Sequence, residues 1–125
     1  MNRENASSPE KIEKIARTAH DAIRGWRLAN GQEEIPEWAD APDWMLAATK
    51  ESVSAVLKNL GMSASAQHDQ WVAAKKRDGW KFGHTKDPIA KTHPLLIPFD
   101  QLPEVERMKD TLINAIVAAL ASIGD

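Results

Sequence analysis

Cysteine is absent from the chain, which removes disulfides, thiolate metal ligands and cysteine nucleophiles together and accords with a reducing compartment. Tyrosine is absent too, and phenylalanine occurs only twice, so five tryptophans carry most of the aromatic surface. No apolar run approaches the roughly 20 residues that a membrane span needs. The opening stretch, MNRENASSPEK, is polar and lacks the apolar core of a signal peptide. There is no basic excess: 16 Lys and Arg against 18 Asp and Glu leave a formal charge of −2, which argues against a general nucleic-acid binder. Neither a GxxxxGK[ST] phosphate loop nor a GxGxxG strand–helix turn occurs, and no serine has a glycine-elbow context. The expectations are therefore no catalytic residues, no metal, no cofactor, no nucleic acid and no membrane.

What is present suits one domain of 125 residues, long enough to bury a core without staples. Residues 8–30 read as a helix capped by Ser7 or Ser8, with Pro9 in its first turn. Ile12, Ile15, Ala16, Ala19, Ile23 and Trp26 recur on one face, with Trp26 read as core. Asn30-Gly31 is a stop. A second helix is predicted over about 42–59, with Met45, Ala48, Ser52, Val56 and Leu60 as its stripe. A third covers about 65–77 and ends at Asp78-Gly79. A fourth starts near Pro103, with Val105, Met108, Leu112, Ile116, Leu120 and Ile123 facing inward. Pro88, Pro94 and Pro98 forbid a helix over 80–99, which reads as ordered loop with one or two short strands.

The halves echo each other. His20-Asp21 matches His68-Asp69, each eleven residues before a glycine, Gly31 or Gly79. Ile35-Pro36-Glu37-Trp38 parallels Leu96-Ile97-Pro98-Phe99, and Trp38 to Pro42 equals Phe99 to Pro103 in length. The expected fold is mostly helical α+β: two helix–loop–helix copies, about 8–61 and 63–123, related by a pseudo-twofold axis, with short strands in the loops.

The second copy carries a dense series of ordered elements: Gly79-Trp80-Lys81-Phe82-Gly83, Lys86-Asp87, Lys91-Thr92-His93-Pro94, Ile97-Pro98-Phe99-Asp100 and Leu102-Pro103-Glu104. Over roughly 65–120 this resembles the ryanodine-receptor repeat (RyR) domain. The first half resembles it only through the internal repeat, although its Trp-Ala-Asp-Ala-Pro-Asp-Trp stretch (38–44) is similar to small phage and bacterial proteins with one such domain pair. The first copy has Gly31-Gln32 where Gly-Trp would stand. Leu95 stands where the family often has cysteine, and Phe82 and Phe99 replace common tyrosines.

The resemblance implies a peripheral cytosolic module without enzymatic activity. It also implies a cleft between the copies that takes adenine nucleotides by aromatic stacking, and, in prokaryotic relatives, capture of nucleotide-derived signals during conflict with phage. The expected role is thus a small-molecule binding module for an adenine nucleotide or a cyclic or ADP-ribose-like signal, acting as a sponge in the cytoplasm of a bacterium or phage-infected cell. A homo-oligomer is allowed. The competing role is a protein-interaction or assembly module built on the exposed aromatic loop.

The candidate ligand-binding residues are Trp80, Phe82, Lys86, Lys91, Thr92, His93, Trp38 and Trp44. Trp80 stacks a base beside Lys81, Lys86 and Lys91 in one reading, and plugs the helix–loop junction in the other. Trp38 and Trp44 flank the anion-attracting start of the second helix, where a hydrophobic staple is the alternative. His93 either donates to a phosphate or fixes its own loop by bonding a backbone carbonyl. His20 and His68 read as satisfied core or interface histidines rather than metal ligands.

Overall fold

The computed structural model describes residues 8–123. Residues 1–7, including the alternative cap Ser7, lie outside the described residues. Four helices dominate: α1 (Pro9–Ala29), α2 (Asp43–Lys58), α3 (Ala64–Arg77) and α4 (Glu104–Leu120). Two-residue strands β1 (Lys81–Phe82) and β2 (Thr92–His93) lie between α3 and α4. With this small sheet the fold is mostly helical α+β, as expected.

The helix ends follow local chemistry. Ser8 and Ser63 cap α1 and α3, each hydroxyl accepting an otherwise unpaired amide, from Lys11 and Ala66 respectively, at 3.1 Å. α1 and α3 then stop in the same way. Gly31 and Gly79 take positive φ (69° and 92°), and the next amide, of Gln32 or Trp80, donates back to the carbonyl of Arg27 or Lys75.

The chain divides into two units. One comprises residues up to Gly61 together with those from Leu112 onward; the other is Met62–Thr111. The first is organised around Ile15, Ala16, Trp38, Val53, Val56 and Val117, with Ile12, Leu46, Leu57, Ile113 and Leu120 packed on them. The second half of α4 thus shares a core with α1 and α2.

Two apolar stripes differ from their sequence reading. In α2 the buried side runs through Leu46, Val53, Val56 and Leu57, while Leu60 is 52% exposed. In α4 it runs through Ile113, Val117 and Leu120, while Met108 and Ile123 stay exposed. Both helices carry apolar residues around more than one face, so periodicity allowed a rotation that packing then fixed. Trp26, read as core, is only partly buried and lies outside this cluster.

In the second unit, β1 and β2 pair in parallel, Lys81 with Thr92 and Phe82 with His93. The connection between them folds on itself. Asp87 and Thr92 exchange both backbone hydrogen bonds, and the Thr92 hydroxyl donates to the Thr85 carbonyl at 2.9 Å. Asp87 Oδ1 accepts the amides of Ile89 (3.0 Å) and Ala90 (3.2 Å), an Asx turn. Lys91 adopts φ 59°, and its ammonium donates to the Asp78 carbonyl at 2.8 Å, tying the loop to the end of α3.

Gly83 makes this packing possible. A Cβ there would lie 2.6 Å from Thr92 Cβ and 3.0 Å from its Cγ2. Thr92 Cβ is attached to paired backbone and has little room to give. Gly83→Ala is expected to destabilise the protein by about 1–3 kcal/mol, read from urea denaturation; an unchanged midpoint would contradict the close approach.

Candidate functional site

The site grows from one face of α3. His68, Trp71 and Lys75 stand at positions i, i+3 and i+7, which a helix aligns. His68 is buried, and its Nε2–H donates to the Ile97 carbonyl at 2.7 Å; a carbonyl can only accept, so this fixes the tautomer at that nitrogen. Its ring lies 5.5 Å from Trp71 and 6.0 Å from Phe99. Trp71 meets His93 edge-on at 5.1 Å, and His93 in turn lies 6.4 Å from Trp80. The Lys75 ammonium sits over the Trp80 ring, 5.2 Å from its centroid, within cation–π range. Five rings therefore form a continuous series from Phe99 to Trp80, ending under a lysine.

His93 is the hinge of that series. Its Nδ1 accepts the Leu95 amide at 3.1 Å, so it does fix its own loop, but as an acceptor from an N–H and not by bonding a carbonyl. Its pKa is lowered from 6.5, first by burial, then by Lys86, Lys75 and Lys109, with Glu106 opposing. A neutral ring suits the Leu95 bond, because a proton on Nδ1 would abolish it. Asp110 borders the buried end: its Oδ2 lies 3.8 Å from His68 Nδ1. Burial raises the Asp110 pKa above 3.8, with Glu106 adding to the rise and Lys109 and His68 acting against it.

The remaining candidates are dispersed. Phe82 is half exposed and packs edge-on against His84 at 5.5 Å, outside the ring series. Lys86 is exposed but close enough to act on His93. Lys91 and Thr92 direct their polar groups to the backbone of Asp78 and Thr85, where they shape the loop. Trp44, at the second position of α2, is 61% exposed.

Trp38 corrects the sequence reading: it is buried in the core of the first unit, edge-on to His20 at 5.6 Å, so neither face is offered to a ligand. Neither Trp38 nor Trp44 occupies the position before the α2 cap, which is Ala41, so the expected staple has no anchor there. Among the described residues no group of three His, Asp or Glu could hold a metal ion, and no helix is long and apolar enough to cross a membrane.

His20 repeats the local arrangement of His68 within the first unit. It is buried, and its Nε2–H donates to the Pro36 carbonyl at 2.7 Å. Both are buried and satisfied, which is the core alternative of the sequence reading. The surroundings differ, however. At the spacing of Trp71, Lys75 and Trp80, the first unit has Ile23, Arg27 and Gln32, so the ring series belongs to the second unit. Trp71 and Lys75 escaped the sequence reading, although their i+3 and i+7 spacing from His68 was the available signal.

A mostly helical α+β module whose α3–α4 connection carries an aromatic and basic cluster defines the class. A family model for the RyR domain matches residues 48–124, more than half of the chain and all of the second unit. The chain belongs to the RyR domain family.

The lowered His93 pKa has a signed consequence. The neutral ring favours the fold above the unfolded value of 6.5, and that contribution is lost as pH falls through the lower folded value. Asp110, with its raised pKa, acts oppositely in a more acidic window near and above 3.8. Between pH 7.5 and 5.5, His93→Gln is expected to flatten the fall in melting temperature shown by the parent; an equally steep fall in both would show that His93 does not cause it.

Proposed function

We propose that this chain is a non-enzymatic binding module for a small anionic ligand carrying an aromatic base, of the adenine-nucleotide, cyclic-nucleotide or ADP-ribose class. The observation that carries the reading is the convergence of Lys75 and Lys86 on His93, which lies between the Trp71 and Trp80 rings, with Lys75 over Trp80. A base stacks on Trp80, where such contacts contribute roughly 1–3 kcal/mol. The Lys75 ammonium, already over that ring, moves to the phosphate with Lys86, converting a cation–π contact into a charge-assisted hydrogen bond. Neutral His93 offers Nε2–H as a further donor, since Nδ1 is engaged by Leu95. Lys91 and Thr92 act indirectly, by holding the loop.

In this reading the module lowers the free concentration of its ligand in the cytoplasm of a bacterium or phage-infected cell. The paired His20 and His68 arrangements support a duplication in which the second copy kept or acquired the aromatic site. A protein-interaction role is favoured separately by Ile89, 97% exposed on an ordered loop.

A thermal-shift series with AMP, ADP, ATP, ADP-ribose and cyclic dinucleotides tests the proposal. At 100 times its Kd a ligand adds about 2.7 kcal/mol, several degrees for a domain of this size. The shift should vanish in Trp80→Ala, fall steeply in Lys75→Gln with Lys86→Gln, and weaken with salt. No shift across the series, with the protein folded, would reject nucleotide binding.

A further inference from the structure

Ile89 is 97% exposed, yet it sits on an internally bonded segment. Its amide and that of Ala90 are held by Asp87 Oδ1, the Asp87–Thr92 backbone pair closes the turn behind them, and Lys91 and Thr92 fasten the turn to Asp78 and Thr85. The apolar side chain is thus presented on a preformed support and needs no further ordering to dock. The sequence around it is basic. Residues 75–91 contain Lys75, Lys76, Arg77, Lys81, Lys86 and Lys91 against only Asp78 and Asp87, and one carboxylate oxygen of Asp87 is engaged by the loop's own amides.

The complementary surface occurs in the same chain. Residues 33–43 carry Glu33, Glu34, Glu37, Asp40 and Asp43 with no lysine or arginine. This segment is also braced from behind: Arg27 Nε donates to the Glu33 carbonyl at 2.8 Å and Arg24 Nε to the Ile35 carbonyl at 3.1 Å, while the Arg24 guanidinium pairs with Glu34 at 3.2 Å and lies 3.8 Å from Glu37. Arg24, Glu34, Ile35, Pro36, Glu37 and Asp40 line a hollow of about 350 Å³, with Ile35 and Pro36 as its apolar portion.

We propose that the Ile89 loop of one molecule docks into the acidic 33–40 hollow of a second copy. Ile89 enters against Ile35 and Pro36, and Lys86 of the loop faces the surrounding carboxylates. Because knob and hollow are different surfaces, the contact is head-to-tail, leaving one of each free on every pair. Its knob and hollow use neither Trp80 nor His93, so it stands or falls apart from the nucleotide reading, although Lys86 serves in both.

Analytical ultracentrifugation of the full chain, from micromolar to about 1 mM, is the test, the range in which a small contact of this kind would register. The expected result is concentration-dependent mass above the 13.8 kDa monomer, decreasing as NaCl is raised. Ile89→Asp, at an exposed position, should keep its melting temperature and sediment as a monomer. Ile89→Ala should weaken association about 10- to 100-fold. Glu33→Lys with Glu37→Lys, both exposed and checked for folding by circular dichroism, should also be monomeric alone. Mixing that variant with Ile89→Asp should restore a dimer and nothing larger, because each supplies the surface the other lacks. A parent that stays at 13.8 kDa throughout, association unaffected by either change, or Ile89-dependent binding to anionic vesicles by a protein that remains monomeric would each overturn the proposal.

Discussion

His20 and His68 are both buried, and each places an imidazole nitrogen 2.7 Å from a backbone carbonyl, of Pro36 and Ile97, to which its N–H donates. A buried donor without a partner is costly, and so is a buried carbonyl. The bond therefore specifies which carbonyl must return to the helix, and with it the path of the extended segment. In each case the chain then enters a short 3₁₀ turn, Trp38–Asp40 or Phe99–Gln101, whose first residue lays its aromatic ring near the same histidine. Everything downstream, including the start of α2 or α4, is referenced to that point.

From the common anchor the two units diverge. After His20 the return is short, and a single loop braced by Arg24 and Arg27 suffices. After His68 the chain makes a longer excursion through β1, the Asp87–Thr92 turn and β2 before Leu96 and Ile97 arrive. That excursion brings His93 between Trp71 and Trp80, and its proton affinity then reports both the desolvation and the lysines around it. The same excursion exposes Ile89 and fixes it in place. One loop thus carries both His93, set between two tryptophans, and the exposed Ile89.

Much of the architecture was legible because it rests on local rules. Serine caps, the proline at the first turn of α1 and glycines with positive φ mark helix limits within a residue or two. Three prolines kept helix out of the 80–99 connection. The RyR resemblance was likewise legible, since it lies in ordered sequence elements of that connection. The candidate site was legible in its loop signals, Trp80, Lys86 and His93, but not in Trp71 and Lys75, which sit inside a helix among ordinary residues. Trp38 was misjudged because a tryptophan near a helix start looks the same in sequence whether it faces a ligand or a core.

The sequence alone determined the four helices, the start of α1, the glycine stops of α1 and α3, the helix-free connection and the family, because caps, φ preferences and ordered motifs act over a few residues. Tertiary structure alone decided which faces of α2 and α4 are buried, where Trp38 goes, which rings surround His93 and which loop side chains are committed to the backbone. Those outcomes depend on groups distant in sequence competing for the same space and the same hydrogen bonds, as when the Lys91 ammonium, a candidate phosphate ligand by type, is taken by the Asp78 carbonyl.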